Sequence, residues 1–186
     1  MLDNPIKGNF DFKHLKKIHK YLFQDIYRWA GNIRNCNIAK TDLFCLSNHI
    51  ETYAEEVFNN LNLKNYLIEY DFDVKIRELS KLFSDINALH PFREGNGRAQ
   101  REFVEQLAYV NGIKLDLTTI SQEDMIKISH ESLSCKYDNI ISFFKKSSSN
   151  ISVHEQIQRI DNIILDKKIK NQLLKYLNSK EKDNIS

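Results

Sequence analysis

Three features of the chain predict an all-α fold. Apolar residues recur at steps of three and four over most of its length, the period of a helix with one buried face. Only five glycines and two prolines occur in 186 residues, too few for a protein of short strands and tight turns. Where punctuation does occur, at Pro91 and Gly112, it falls between periodic segments. No internal repeat is present.

The elements follow in order. Phe12, Leu15, Ile18, Leu22, Phe23, Ile26 and Trp29 predict a first amphipathic helix. Ile50, Tyr53, Ala54, Val57, Phe58 and Leu61 predict a second, with Ser47 or Asn48 as its N-cap. Val74, Ile76, Leu79, Leu82, Phe83, Ile86 and Leu89 predict a third. Pro91 ends it, because proline disfavours helical geometry in the residue before it. His90 is left at the helix end, against the core and facing a loop. Phe103, Val104, Leu107, Ala108 and Val110 restart the period, with Gly112 as the stop. Ser121 followed three residues later by Asp124 reads as a capping box with Asp in place of Glu. The helix it opens carries Met125, Ile126, Ile128 and Leu133. Tyr137, Ile140, Ile141, Phe143 and Phe144 close a main domain, residues 1–146.

Lys145, Lys146, Ser147, Ser148, Ser149 and Asn150 read as a linker. Residues 147–186 are then linker and helical tail. Ile151, Val153, Ile157, Ile160, Ile163, Ile164, Ile169, Leu173, Leu174 and Leu177 keep the helical period as far as 177. The polar residues 179–186 are expected to fray.

Composition excludes several classes. A net charge of +2 gives no strong pull toward nucleic acid or membrane. No apolar run approaches a membrane span, and the N-terminus lacks a secretory pattern. Cys36, Cys45 and Cys135 are odd in number, scattered and without CxxC spacing, which argues against a disulfide framework or a zinc site and for a cytoplasmic location. His14, His19, His49, His130 and His154 form no ligand cluster and read as surface or packing residues.

One run carries chemistry: His90-Pro91-Phe92-Arg93-Glu94-Gly95-Asn96-Gly97-Arg98-Ala99-Gln100-Arg101. It joins a base, a carboxylate, a glycine-flanked loop and two arginines at the entry to a helix. The first amides of a helix have no internal partner and carry positive partial charge, so anions bind there. Glycines let the backbone approach the anion. Arg98 and Arg101 project from one face of the first turns, each with a planar fork of donors suited to phosphate oxygens.

This run resembles the Fic motif, His-Pro-Phe-x-Asp/Glu-Gly-Asn-Gly-Arg-x-x-Arg, with no departure at a defining position. The segment 23–34 is similar to the one preceding the active-site hairpin of that family. Asn37-Ile38-Ala39-Lys40 followed by Phe44-Cys45 resembles the hairpin, or flap, itself. The similarity covers residues 10–145. It implies a compact helical Fic-type domain with a small β-hairpin flap, residues 35–45, whose tip holds Lys40, Thr41 and Asp42. It implies a protein adenylyltransferase that moves AMP from ATP to a Tyr, Ser or Thr hydroxyl of a target docked as an extra strand on the flap. In that scheme His90 is the general base and Glu94 the Mg²⁺ ligand. Gly95, Asn96 and Gly97 form the anion nest, Arg98 holds the diphosphate leaving group, and Arg101 reaches the γ-phosphate. Gln106 approaches the base from the second helix of the motif. Phe92 is a core anchor, and Arg93, at a variable position, has no assigned role.

Other readings remain open. Another nucleotide or diphosphate donor needs no change in the motif. A catalytically silent interaction module is disfavoured by intact His90 and Glu94. Phosphorylation, as in Doc relatives that place lysine where Gly97 stands, is disfavoured by Gly97. The family's inhibitory pattern, Ser/Thr-x-x-x-Glu-Gly/Asn, has no good match: Thr119 with Glu123 is followed by Asp124, Thr52 with Glu56 by Val57, and Ser152 meets Glu155 at the wrong spacing. That favours a separate small antitoxin as partner over inhibition by the tail.

Overall fold

The computed structural model describes residues 4–39, 44–134 and 136–183. Within these, eight α-helices and one two-stranded sheet surround a single core. The helices are α1 (Phe12–Phe23), α2 (Ile50–Leu63), α3 (Phe72–Leu89), α4 (Asn96–Val110), α5 (Gln122–Leu133), α6 (Asp138–Lys146), α7 (Val153–Ile163) and α8 (Lys167–Asp183). The strands, β1 (Ile113–Leu115) and β2 (Ser148–Asn150), are antiparallel, with Lys114 opposite Ser149.

α4 is the central helix. Ala99, Phe103, Val104, Leu107, Ala108 and Val110 are buried, and α1, α3, β1 and α7 pack on it. Even its polar residues are enclosed: the buried Gln100 donates to the Phe83 carbonyl of α3. This enclosure holds the N-terminus of α4 fixed relative to α3 and α1.

Helix starts follow local chemistry. Asp11 and Asp71 cap α1 and α3 by accepting from the amides of His14 and Val74. Half of the Ser121–Asp124 box forms at the start of α5: the Asp124 amide donates to Ser121 Oγ at 3.1 Å, while Asp124 Oδ2 accepts from the Ser121 hydroxyl at 2.8 Å. α2 departs from expectation. A 3-10 turn, Ser47–His49, leads into it, and His49 stands at the N-cap without a side-chain bond.

The first helix is shorter than its period. It ends at Phe23, and the chain turns through residues 24–31, with Ile26 66% exposed. Gly31 bends the chain at φ 83°, where a Cβ would stand 2.9 Å from Lys20. Ile26 and Trp29 fit the helical step by coincidence of spacing. Trp29 stacks instead on Tyr27, centroids 4.4 Å apart.

The segment read as a linker is ordered. Lys145 and Lys146 end α6, and Ser148–Asn150 forms β2. Asp116 donates to the Ser147 carbonyl and Ile151 to that of Gly112, extending the pairing at both ends. The tail is two helices, broken where Asn9 Oδ1 accepts from the amides of Leu165 and Asp166. Asp166 Oδ1 then caps α8 through Lys168 and Ile169. Ile160, Ile163, Ile164, Leu173 and Leu177 belong to the common core. Residues 179–183, expected to fray, continue α8. Gly8 pairs in parallel with Ile164, donating to the Ile163 carbonyl at 2.9 Å.

Candidate active site

His90 is the C-cap of α3. Its amide donates to the Ile86 carbonyl at 3.1 Å, and its backbone is left-handed, φ 42° and ψ 58°. The following proline disfavours the right-handed region, and a left-handed non-glycine residue costs about 1–2 kcal/mol. Surrounding contacts hold it there. Arg34 Nε donates to the His90 carbonyl at 2.8 Å. The His90 ring, 9% exposed, lies flat on Phe44 at 3.7 Å between centroids and 11° between planes.

The loop from His90 to α4 closes on itself. Asn96 Oδ1 accepts from the Phe92 amide at 2.8 Å, and Asn96 Nδ2 donates to the Phe92 carbonyl at 2.7 Å. The Asn96 side chain is therefore spent on the loop, leaving its backbone N–H for any ligand. Gly95 is the N-cap of α4 at φ 82°, and a Cβ there would meet the Phe23 ring at 2.5 Å. Its N–H already donates to a local carboxylate, Glu94 Oε1, at 3.0 Å. Gly97 differs. A Cβ would find only Arg101 Nη1, at an ordinary 3.4 Å. Among the described residues no backbone or rigid side chain requires glycine at 97.

Two guanidinium groups flank this helix end. Arg98 is exposed, its guanidinium 4.4 Å from the centre of the Phe23 ring. Arg101 is half-buried. Desolvation lowers its pKa, the nearby Glu105 carboxylate opposes that, and Arg98 adds to it. Guanidinium stays protonated in proteins. Neither arginine forms an ion pair among the described residues. Glu105, one turn beyond Arg101, is pushed up to about 7 by burial, although the Leu117 amide bonded to it acts the other way.

His19 ties the loop to α1. It is fully buried, with Nε2 2.9 Å from the Glu94 carbonyl and Nδ1 accepting from the Gly31 amide at 2.9 Å. A carbonyl on one nitrogen and an N–H on the other fix the neutral Nε2–H tautomer. Burial lowers its pKa in the same direction. The ring also stacks on Phe92 at 3.8 Å. A histidine read as packing thus sets the carbonyl beside the Glu94 side chain.

The structure brings together His90, Glu94, Gly95, Asn96, Gly97, Arg98 and Arg101 at one helix entrance. Gln106 lies apart, about 15 Å along α4 from Asn96 at 1.5 Å per residue. It is buried, with Nε2 donating to Glu102 at 2.8 Å. Lys40, Thr41 and Asp42 lie outside the described residues. The legs of the flap are described: Phe44 N–H reaches the Ile38 carbonyl at 3.3 Å. The one two-stranded sheet, β1–β2, is elsewhere. Sequence reasoning missed Arg34. An arginine only 2% exposed, it was hidden in a segment with no helical period, and a cation between Ile33 and Asn35 reads as surface.

Comparison with known proteins bears on the family and the fold. The adenylyltransferase VbhT of Bartonella schoenbuchensis is 35% identical over 153 residues, covering 82% of this chain and 32% of that protein. The probable adenylyltransferase Fic of Escherichia coli is 39% identical over 111 residues, covering 59% of this chain and 56% of its own length. The chain thus spans about a third to a little over half of these curated relatives. The solved structure of BepC from Bartonella tribocorum with bound AMPPNP superposes with a TM-score of 0.73 at 25% identity, covering 80% of this chain and 79% of that one. A Fic domain from Bartonella quintana with bound ADP gives 0.73 at 26% identity over 80% and 78%. The Fic/DOC family pattern matches residues 9–108, and the chain belongs to the Fic/DOC family.

Proposed function

We propose that this protein transfers AMP from ATP to a hydroxyl side chain of a target protein. One observation carries the reading: at Gly97 a Cβ would meet only the end of the Arg101 side chain, at a helix N-terminus whose two arginines form no ion pair among the described residues. A phosphate chain fits there, its oxygens on the first amides of α4 and on Arg98 and Arg101. The relatives' names and their bound AMPPNP and ADP support an adenine nucleotide as donor.

In the step itself, the target hydroxyl oxygen bonds to the α-phosphorus and the bond from that phosphorus to the bridging oxygen breaks. His90 takes the hydroxyl proton, and pyrophosphate leaves along Arg98 and Arg101. Among the described residues no group of three or more His, Cys, Asp or Glu could hold a metal ion. Mg²⁺ does not need one, since it is held by one or two carboxylates plus substrate phosphates. Exposed Glu94 fits that role once it releases Gly95. Bound there, Mg²⁺ would neutralise phosphate charge. The target would pair along the flap legs, and main-chain pairing would fix its register.

No described helix is long and apolar enough to cross a membrane. Cys36 and Cys45 are free thiols, which supports a cytoplasmic setting. A small antitoxin, rather than the tail, is our reading of regulation, because the apolar stripe of the tail is spent on the core.

The test is incubation with α-labelled ATP and Mg²⁺, followed by detection of labelled protein. Two variants refine it. Gly97→Ala is expected to melt at the same temperature or higher, since Ala replaces Gly in a helix at a gain of up to about 1 kcal/mol. It should weaken ATP binding at least about tenfold, a cost of about 1.4 kcal/mol. Unchanged affinity in a direct titration would remove the nest. Glu94→Ala should lose activity that added Mg²⁺ partly restores. A Mg²⁺ titration parallel to that of His90→Ala would remove the metal role.

A further inference from the structure

Arg34 carries its charge into the interior, and among the described residues it forms no ion pair with a carboxylate. Its three side-chain acceptors are main-chain carbonyls: His90 from Nε at 2.8 Å, Cys36 from Nη1 at 2.7 Å, and Cys45 from Nη2. Its own amide donates to the Pro91 carbonyl at 2.8 Å. Burial lowers its pKa, and the neighbouring Cys45 and Cys36 thiols act the other way. Burying a cation this way is costly.

The acceptors define what is joined. Cys36 and Cys45 stand on the outgoing and returning legs of the flap. His90 and Pro91 are the left-handed turn that presents the imidazole. Two further contacts tie the same parts: Cys45 N–H donates to the Ala88 carbonyl at 2.9 Å, and Phe44 stacks on the His90 ring. One planar fork, with donors in fixed directions, therefore sets both flap legs against the turn carrying His90.

We propose that Arg34 is a positioning residue for group transfer. It makes the flap and His90 one rigid unit, so that a hydroxyl paired on the flap reaches the imidazole in a single register. The inference rests on the AMP-transfer reading above. Arg34 touches neither donor nor target in this account, so nucleotide binding does not depend on it. The distance between hydroxyl and base does, and a misplacement of about 1 Å can cost about a hundredfold in rate.

The full chain is tested as wild type, Arg34→Lys, Phe44→Leu and the double variant. Lysine keeps the charge but loses the planar fork. Three quantities are measured: the dissociation constant for ATP with Mg²⁺, the melting temperature, and the rate of AMP incorporation from α-labelled ATP into the protein itself and into total cell-extract protein. Arg34→Lys is expected to bind ATP within about twofold of wild type and to label protein about ten- to a hundredfold more slowly at saturating ATP. Phe44→Leu should lose less, and the double variant should fall short of the product of the two losses, because both act through one contact. A wild-type labelling rate in Arg34→Lys overturns the proposal. So does a labelling loss matched by an equal loss of ATP binding and a collapsed melting transition, which would make Arg34 structural only. If Arg34→Lys does not fold, full additivity between Phe44→Leu and Cys45→Pro, which removes the Cys45 amide bond to Ala88, overturns it. Wild-type protein without His90-dependent labelling would instead sink the transfer reading, and the inference with it.

Discussion

Replacing His90 by alanine is expected to abolish AMP transfer while leaving ATP binding near normal. The imidazole lies on Phe44, and the loop that follows is built by other groups: Asn96 on Phe92, His19 on the Glu94 carbonyl, and the backbone of Gly97. Loss of a general base typically costs about 10²–10⁴-fold. His90→Asn is the sharper variant. Asparagine tolerates the left-handed backbone seen at φ 42°, so it keeps the turn while removing the base. Both variants should show equal loss of labelling and unchanged ATP affinity. Near-normal transfer by His90→Asn would mean that the residue shapes the turn and does not move the proton.

A chain ending at Lys146 is expected to lose its cooperative fold or to melt more than about 10 °C lower, at the usual 2–4 °C per kcal/mol for this size. The cut removes Ile160, Ile163, Ile164, Leu173 and Leu177 from the core. Each such side chain contributes about 1.5–3 kcal/mol of burial, against a total stability of about 5–15 kcal/mol. Polar bonds go too. Gln156 Nε2 donates to the Val110 carbonyl at 2.8 Å, satisfying the end of α4 from inside the tail. The measurement pairs a thermal melt with the initial rate of transfer. A truncated chain that melts normally and works at least about tenfold faster would identify the tail as an inhibitor.

The site was legible because its residues are consecutive. His90 through Arg101 lie within one helix exit and one helix entry, and both ends announce themselves through Pro91 and Gly95. What remained hidden depends on partners distant in sequence. Arg34 and His19 act through carbonyls at positions 90 and 94, and no local pattern marks a side chain whose acceptor is backbone 56 or 75 residues away. Serines at 148 and 149 have weak strand preference, and β2 exists because β1 offers it bonds. The family resemblance placed Gln106 near the base, yet it lies ten residues along α4 from Asn96 and is buried in the core. The end of the first helix failed for the opposite reason: period alone carried Ile26 and Trp29, while the bend at Gly31 is set by φ.

The parallel bridge between Gly8 and Ile164 bears on how the molecule is made. Asn9 and Leu165, joined across the same seam, are 156 residues apart. A ribosome adding about 5–20 residues per second separates their synthesis by roughly 8–30 s. For that interval the flank of α4 has no α7 to cover it, in a nascent chain that already carries the whole His90–Arg101 loop. Contacts of such long sequence separation also slow folding after release, since the loop must close before they form. The Gly8–Ile164 seam cannot close before the α7–α8 hinge has been made. Until then the nascent chain depends on whatever in the cell shields exposed apolar surface.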